Sequence, residues 1–256
     1  MGFLLMTKTG SFNPANYGLT VGDLLNVIVV GGGGGGCGFG DNSSTEFRGT
    51  AGGSSSFGSY FTAVGGGSGN TTGQSRGGVG EGGHNHGKYG GGGAGGWYPG
   101  VARTNHAGMP GLLRGITPGE IALLDSLAGC GGGCIPAQAD SGTAASLGTS
   151  GGGGGTATAG SLGGIGGGGG NDRSSGSDSI TYGGGGGGAG YGAGGGGSAN
   201  FNWTYGGNGG NSGQVVYGTH KLTSTAAISV TVGRGGAGST RGPAGAGAPG
   251  CVAIFW

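Results

Sequence analysis

The chain has 256 residues, 84 of them glycine; only 7% are charged and the formal net charge is +1. So small and balanced a charge offers no electrostatic handle for duplex nucleic acid or an anionic membrane. Collagen is excluded as well: it requires Gly at every third position and abundant Pro, whereas Pro numbers 7 and Gly233, Gly235, Gly236 and Gly238 keep no single phase of three.

In chain order, residues 1–30 are predicted to form an N-terminal β-strand unit. Its opening, Met1 to Met6, lacks the basic flank and cleavage site of a signal peptide. The stretch Phe12-Asn13-Pro14-Ala15-Asn16-Tyr17-Gly18 reads as a turn, and Leu24 to Val30 as a strand. Gly31 to Gly36 then opens a glycine-rich domain over residues 31–256. Within it, glycine-dense stretches at 31–40, 65–69, 77–83, 90–96, 151–155, 163–170, 183–197 and 206–213 alternate with polar or aromatic interludes at 41–64, 97–114, 171–182 and 198–205. The spacing has no fixed period, which excludes a regular solenoid. One short α-helix is predicted near 118–128. Thr117 is its N-cap, Pro118 the first helical residue, Glu120 closes a capping box and Gly129 stops it. Strands at 214–217, 227–232 and 251–256 close the chain, and the first and last strands are expected to pair. No apolar stretch approaches the roughly 20 residues that cross a bilayer, so membrane insertion is not expected.

A flexible Gly/Ser linker does not fit this pattern. The glycine runs adjoin apolar strands, the final residues Cys251 to Trp256 are apolar, and aromatic residues are spread along the chain. The runs are therefore read as the structural core. Gly loses more conformational entropy on folding than any other residue and has no side chain to bury. Ordered glycine must recover that cost through backbone hydrogen bonds to neighbouring segments. Extended segments with three residues per turn and no internal hydrogen bonds can bond sideways to several neighbours, provided that no Cβ intervenes. The expected fold is thus mostly irregular or all-β-like: packed polyglycine II helices framed by short β-strands at both termini, as one compact unit.

Little in the sequence points to a reaction. His84-Asn85-His86 with His106 lacks the carboxylate or Cys spacing of a metal site, and solvated loop histidines are the commoner case. Cys130 and Cys134 have three residues between them instead of the two of a redox or zinc pair. Free thiols are the default for all four cysteines, with a Cys130–Cys134 disulfide left open. No phosphate loop ending in Gly-Lys-Ser/Thr occurs, and GxGxxG matches are uninformative at this glycine content. The nine acidic residues form no evident acid–base pair. An enzyme is not expected, nor is a metal or other cofactor.

Four parts of the chain carry a resemblance: Ser11 to Asp23, Val27 to Val30 running into Gly31–Gly36, Ile228 to Gly238, and Pro249 to Trp256. In these the chain resembles glycine-rich tail-fibre proteins of tailed bacteriophages, and is similar to the distal adhesins of T-even-like phages. The resemblance implies a virion protein of the tail or fibre, made in the host cytoplasm. It would assemble with other tail or fibre proteins and attach to a bacterial surface receptor, a glycan or an outer-membrane protein. Variable loops on a polyglycine II scaffold would make that contact. The candidate receptor contacts are Phe57, Tyr60 and Phe61; His84, His86 and Tyr89; Trp97 and Tyr98; and Phe201, Trp203 and Tyr205. Aromatic residues suit this role because they offer rigid contact area at low entropy cost. The competing role, and for any single ring the commoner one, is apolar cover over glycine layers. Two other functions compete: a purely structural fibre or spacer protein, and an ice-binding protein on the same packing, for which Thr156-Ala157-Thr158-Ala159 is the one hint. Homo-oligomerisation is left open, since outer glycine segments offer unpaired edges.

Overall fold

In the computed structural model the residues described are 2–37, 48–69, 191–192, 194–195, 210–211, 213–240 and 244–256, together with the backbone of five short strands. The strands in chain order are β1 (Phe3–Met6), β2 (Gly10–Phe12), β3 (Leu24–Val30), β4 (Ser55–Phe57) and β5 (Phe61–Ala63). The short β6 (Gly95–Gly96), β7 (Thr104–Asn105), β8 (Asn171–Ser174), β9 (Thr181–Gly184) and β10 (Ala199–Asn200) follow. The chain ends with β11 (Val215–Lys221), β12 (Ile228–Thr231) and β13 (Cys251–Phe255). The described part is all-β, built on two four-stranded antiparallel sheets ordered β1-β13-β3-β11 and β2-β12-β4-β5. The predicted helix near 118–128 and the glycine stretches 77–83, 151–155 and 163–170 lie outside the described residues.

Side-chain patterning explains the sheets. Leu25, Val27 and Val29 of β3, with Val252 and Ile254 of β13, meet Phe12, Phe57, Ala63, Ile228 and Val230 of the second sheet in one apolar cluster. The alternate residues Ile28, Val30, Cys251, Ala253 and Phe255 form a second cluster, against which Leu5, Tyr191 and Val215 pack. Strand β3 is buried on both faces, which is why residues 24–30 read as a nearly unbroken apolar run. The strand that runs into Gly31 pairs with the last strand as expected, with Val30 opposite Cys251 and Asn26 opposite Phe255. Strand β1 takes the last strand's other edge, with Phe3 opposite Phe255 and Met6 opposite Val252. The expected turn near residue 14 is a 3-10 helix over Pro14–Tyr17, capped by Asn13 and stopped by Gly18 at φ 71°.

Two expectations need correction. The strand expected at 214–217 runs on to Lys221 as β11. Gly218 sits inside it because the Phe61 ring occupies the space where its Cβ would lie. The stretch 41–64, expected as a loop-like interlude, contains the β4–β5 hairpin, with Phe57 opposite Phe61 and Ser55 opposite Ala63. Its residues 48–54 belong to the glycine layer described next.

Six strands run directly into or out of glycine-rich segments. Strands β3, β5 and β12 lead into 31–37, 64–69 and 233–239, while 48–54, 210–214 and 244–250 lead into β4, β11 and β13. A seventh segment lies at 192–195. Segment 31–37 is buried at every residue, and its successive N–H groups turn through three neighbours in rotation. Gly31 and Gly34 donate to the carbonyls of Gln214 and Asn211, both at 2.9 Å. Gly32 and Gly35 donate to Gly53 and Thr50 at 2.9 Å, and Gly33 and Gly36 to Ala248 and Gly245 at 2.8 Å. The carbonyls accept in the same rotation. Gly32 and Gly35 receive Gly66 and Gly69, Gly33 and Gly36 receive Gly236 and Ser239, and Gly34 receives Gly195. Six segments thus surround one.

The six also bond to one another around the ring. Gly52 donates to Gly66, Asn211 to Gly67, Gly210 to Gly195, Gly192 to Pro249, Gly247 to Gly236 and Thr50 to Ala237. Chain direction alternates around this ring: 64–69, 192–195 and 233–239 run parallel to the centre, and the other three antiparallel. Burial repeats with the same period of three. Gly233, Gly236 and Ser239 are buried while Arg234, Ala237 and Thr240 are exposed, and Gly245 and Ala248 are buried while Ala246 and Pro249 are exposed.

Glycine is required inside because backbone occupies every direction. A Cβ at Gly31, Gly32, Gly34 or Gly35 would collide with the carbonyl of Val64, Arg234, Gly67 or Ala237 respectively. Larger residues take the outward third positions. Gly34→Ala should therefore lower stability by about 3 kcal/mol in chemical denaturation, an overpacking cost with no flexible side chain to yield. Gly67→Ala, across the same contact, should stay within about 0.5 kcal/mol, because its Cβ would meet only the Asn211 amide nitrogen at 3.7 Å.

Candidate functional site

The described part of the molecule has two different ends. At the sheet end lie Gly2 and Trp256, which bond to each other through both backbones (2.7 and 3.1 Å), the β4–β5 turn at 58–60, and the β11–β12 loop. At the glycine end lie Cys37, Arg48, Gly69, Thr240 and Ala244, ranged around the far turn of segment 31–37. Cys37 and Arg48, which flank 38–47, and Thr240 and Ala244, which flank 241–243, therefore lie at this same end.

Of the candidate contacts, His84, His86, Tyr89, Trp97, Tyr98, Phe201, Trp203 and Tyr205 lie outside the described residues. The remaining three lie together in the β4–β5 hairpin at the sheet end, with different surroundings. Phe57 is fully buried in the core between the sheets, so its ring packs and is not a surface contact. Phe61 is half-buried against the same cluster and over Gly218. Tyr60 is 47% exposed and is the one of the three able to meet a ligand.

Tyr60 does not stand alone. Its ring lies against His220, with centroids 3.8 Å apart and planes inclined by 32°. Phe57 supports the pair from below, edge-on to His220 at 6.2 Å. Burial holds the His220 pKa below its ordinary value. The pair forms one wall of a cleft of about 230 Å³, whose opposite side is the β11–β12 loop. His220 was not among the sequence candidates, because Gly218 reads as a strand breaker and hides the continuation of β11. The signal available was the alternation of Tyr217, Thr219 and Lys221 on the exposed face.

The two described cysteines are poor nucleophiles. Burial pushes the Cys37 thiol up to about 12, outweighing the opposing charge of Arg48. Burial also raises the Cys251 thiol strongly, and raises the Tyr191 phenol, with Cys251 beside it adding to the shift. A thiol must be deprotonated to attack, so both are structural near neutral pH. Among the described residues no cluster of three or more His, Cys, Asp or Glu could hold a metal ion; His84, His86 and His106 lie outside them.

No protein-family model, curated protein or solved structure matches the chain.

Two outcomes are expected at this end of the molecule. Phe57→Ala should cost about 3–5 kcal/mol of stability as a large-to-small change in a closed core, whereas Tyr60→Ala should cost under about 1 kcal/mol in the same denaturation assay. His220 binds protons less readily when folded than when unfolded. Acidification below about pH 6.5 should therefore lower the melting temperature, as the unfolded chain takes up the proton first. His220→Gln should flatten that part of the profile.

Proposed function

We propose that this chain is a bacteriophage tail-fibre or tail-tip structural protein that acts as a host-receptor-binding adhesin, and that its glycine segments pack as polyglycine II helices. The scaffold part of the reading is supported by the rotation of the Gly31–Gly36 hydrogen bonds through three neighbours. Three residues per turn with sideways bonding is the defining habit of that helix. None of the glycines from 31 to 36 has a positive φ, which agrees with the same geometry.

The observation that carries the adhesin part is that Cys37, Arg48, Thr240 and Ala244, the residues flanking 38–47 and 241–243, gather at one end of the glycine layer. These flanking residues sit beside the last turn of segment 31–37, opposite the end that carries Gly2 and Trp256. Recognition loops are most effective when a stiff frame fixes their roots. A bacterial surface glycan or outer-membrane protein would meet this end, and other tail or fibre proteins the rest. No chemistry is asked of the site.

Mass spectrometry of purified virions of the source phage should detect the chain. Replacing 38–47 and 241–243 with Gly/Ser connectors of equal length should abolish adsorption to the host while leaving the melting temperature unchanged. A swap of 41–63 would not serve, because it removes β4 and β5 from the core. Unchanged adsorption after the connector replacements would overturn the assignment of receptor contact to these two stretches. Absence from virions would remove the phage reading, and thermal hysteresis in solution would then favour ice binding.

A further inference from the structure

The cleft beside Tyr60 has features that core packing does not require. Both of its walls are held by hydrogen bonds within the protein. On one side Gly58, at φ 53°, donates to the Ser229 carbonyl at 2.7 Å, and Tyr60 N–H donates to Phe57 at 3.1 Å. On the other side the Ser224 hydroxyl accepts the Ala226 N–H at 2.9 Å, and the Leu222 N–H donates to Asp23 at 2.8 Å while Leu222 itself is buried. The cleft therefore does not depend on a ligand to hold its shape, which lowers the ordering cost of binding.

Its lining is chemically selective. Hydroxyls come from Ser59, Thr223, Ser224 and Ser229, with the Tyr60 and His220 rings beside them. Ala226 and Ala227 add a small apolar strip. No lysine, arginine or carboxylate lines the cleft, so nothing there would compensate a charged ligand. Its size, about 230 Å³, is below the roughly 300–1,000 Å³ of sites for drug-sized molecules, which suits a single ring. Hydroxyl groups that both donate and accept, beside an aromatic ring and a methyl-lined strip, match a neutral sugar with its polar edge and C–H face.

We infer that the cleft between the β4–β5 turn and the β11–β12 loop is a binding site for one neutral sugar ring. It lies at the sheet end, away from the connections at the glycine end, and does not depend on the virion reading. A site this small and open should bind weakly, with Kd on the order of 1 mM.

Saturation-transfer NMR on the full-length protein tests this with three neutral probes: methyl glucoside, methyl galactoside and methyl mannoside. At least one should receive saturation. Tyr60→Ala should reduce the transfer at least about fivefold, about 1 kcal/mol on the affinity scale. Ala226→Trp, which fills the cleft from an exposed position on the opposite wall, should do the same with both Tyr60 and His220 retained. Tyr217→Ala, an exposed ring on the same strand but outside the cleft, should leave it unchanged. Absence of transfer to all three probes would overturn the inference, as would transfer that survives both Tyr60→Ala and Ala226→Trp.

Discussion

The structure depends on one constraint: the backbone of Gly31–Gly36 must be approached from six sides to within hydrogen-bonding distance. All six of its N–H groups find carbonyls in surrounding segments, although the segment is wholly removed from water. Unpaired, such groups would each cost about 1–3 kcal/mol. A Cβ at Gly31, Gly32, Gly34 or Gly35 would push a neighbour's carbonyl away and orphan some of these groups. Glycine in segment 31–37 is therefore dictated by the packing.

Such a bundle has a weakness that the sheets correct. A glycine segment carries no side-chain information, so sliding it by three residues would restore an equivalent set of bonds. The strands remove that freedom. Val30 stands opposite both Val215 and Cys251, which fixes Gly31 beside Gln214 before the glycine layer begins. Side chains add further locks where sheet becomes bundle. The buried Ser55 hydroxyl accepts the Gly233 N–H at 2.9 Å, Gln214 Oε1 accepts the Val64 N–H at 3.1 Å, and Thr50 Oγ1 accepts the Ala237 N–H at 2.8 Å. Apolar patterning sets the register, and backbone bonding extends it away from the sheets.

This division explains what could be read from the chain. Leu24–Val30, Ile228–Thr231 and Cys251–Phe255 were legible because β-branched and apolar residues follow one another beside glycine. The role of Gly31–Gly36 as core was legible from the apolar strand that precedes it. Ser55–Phe57 and Phe61–Ala63 were not, since three-residue strands rich in Ser and Thr resemble a polar loop until the partner strand is known. Phe57 and Tyr60 look alike as aromatic residues three apart, yet one is core and the other surface; only the hairpin register separates them. His220 was hidden by Gly218, whose breaker signal reflects the Phe61 ring above it and not the end of a strand.

Amide hydrogen exchange of residues 31–36, followed residue by residue in the folded protein, bears most directly on the six-neighbour core. All six amides should exchange together, at rates governed by global unfolding, because every one is bonded and none faces water. Fast exchange at every second residue, the mark of an ordinary edge strand, or fast exchange throughout, the mark of a linker, would contradict it.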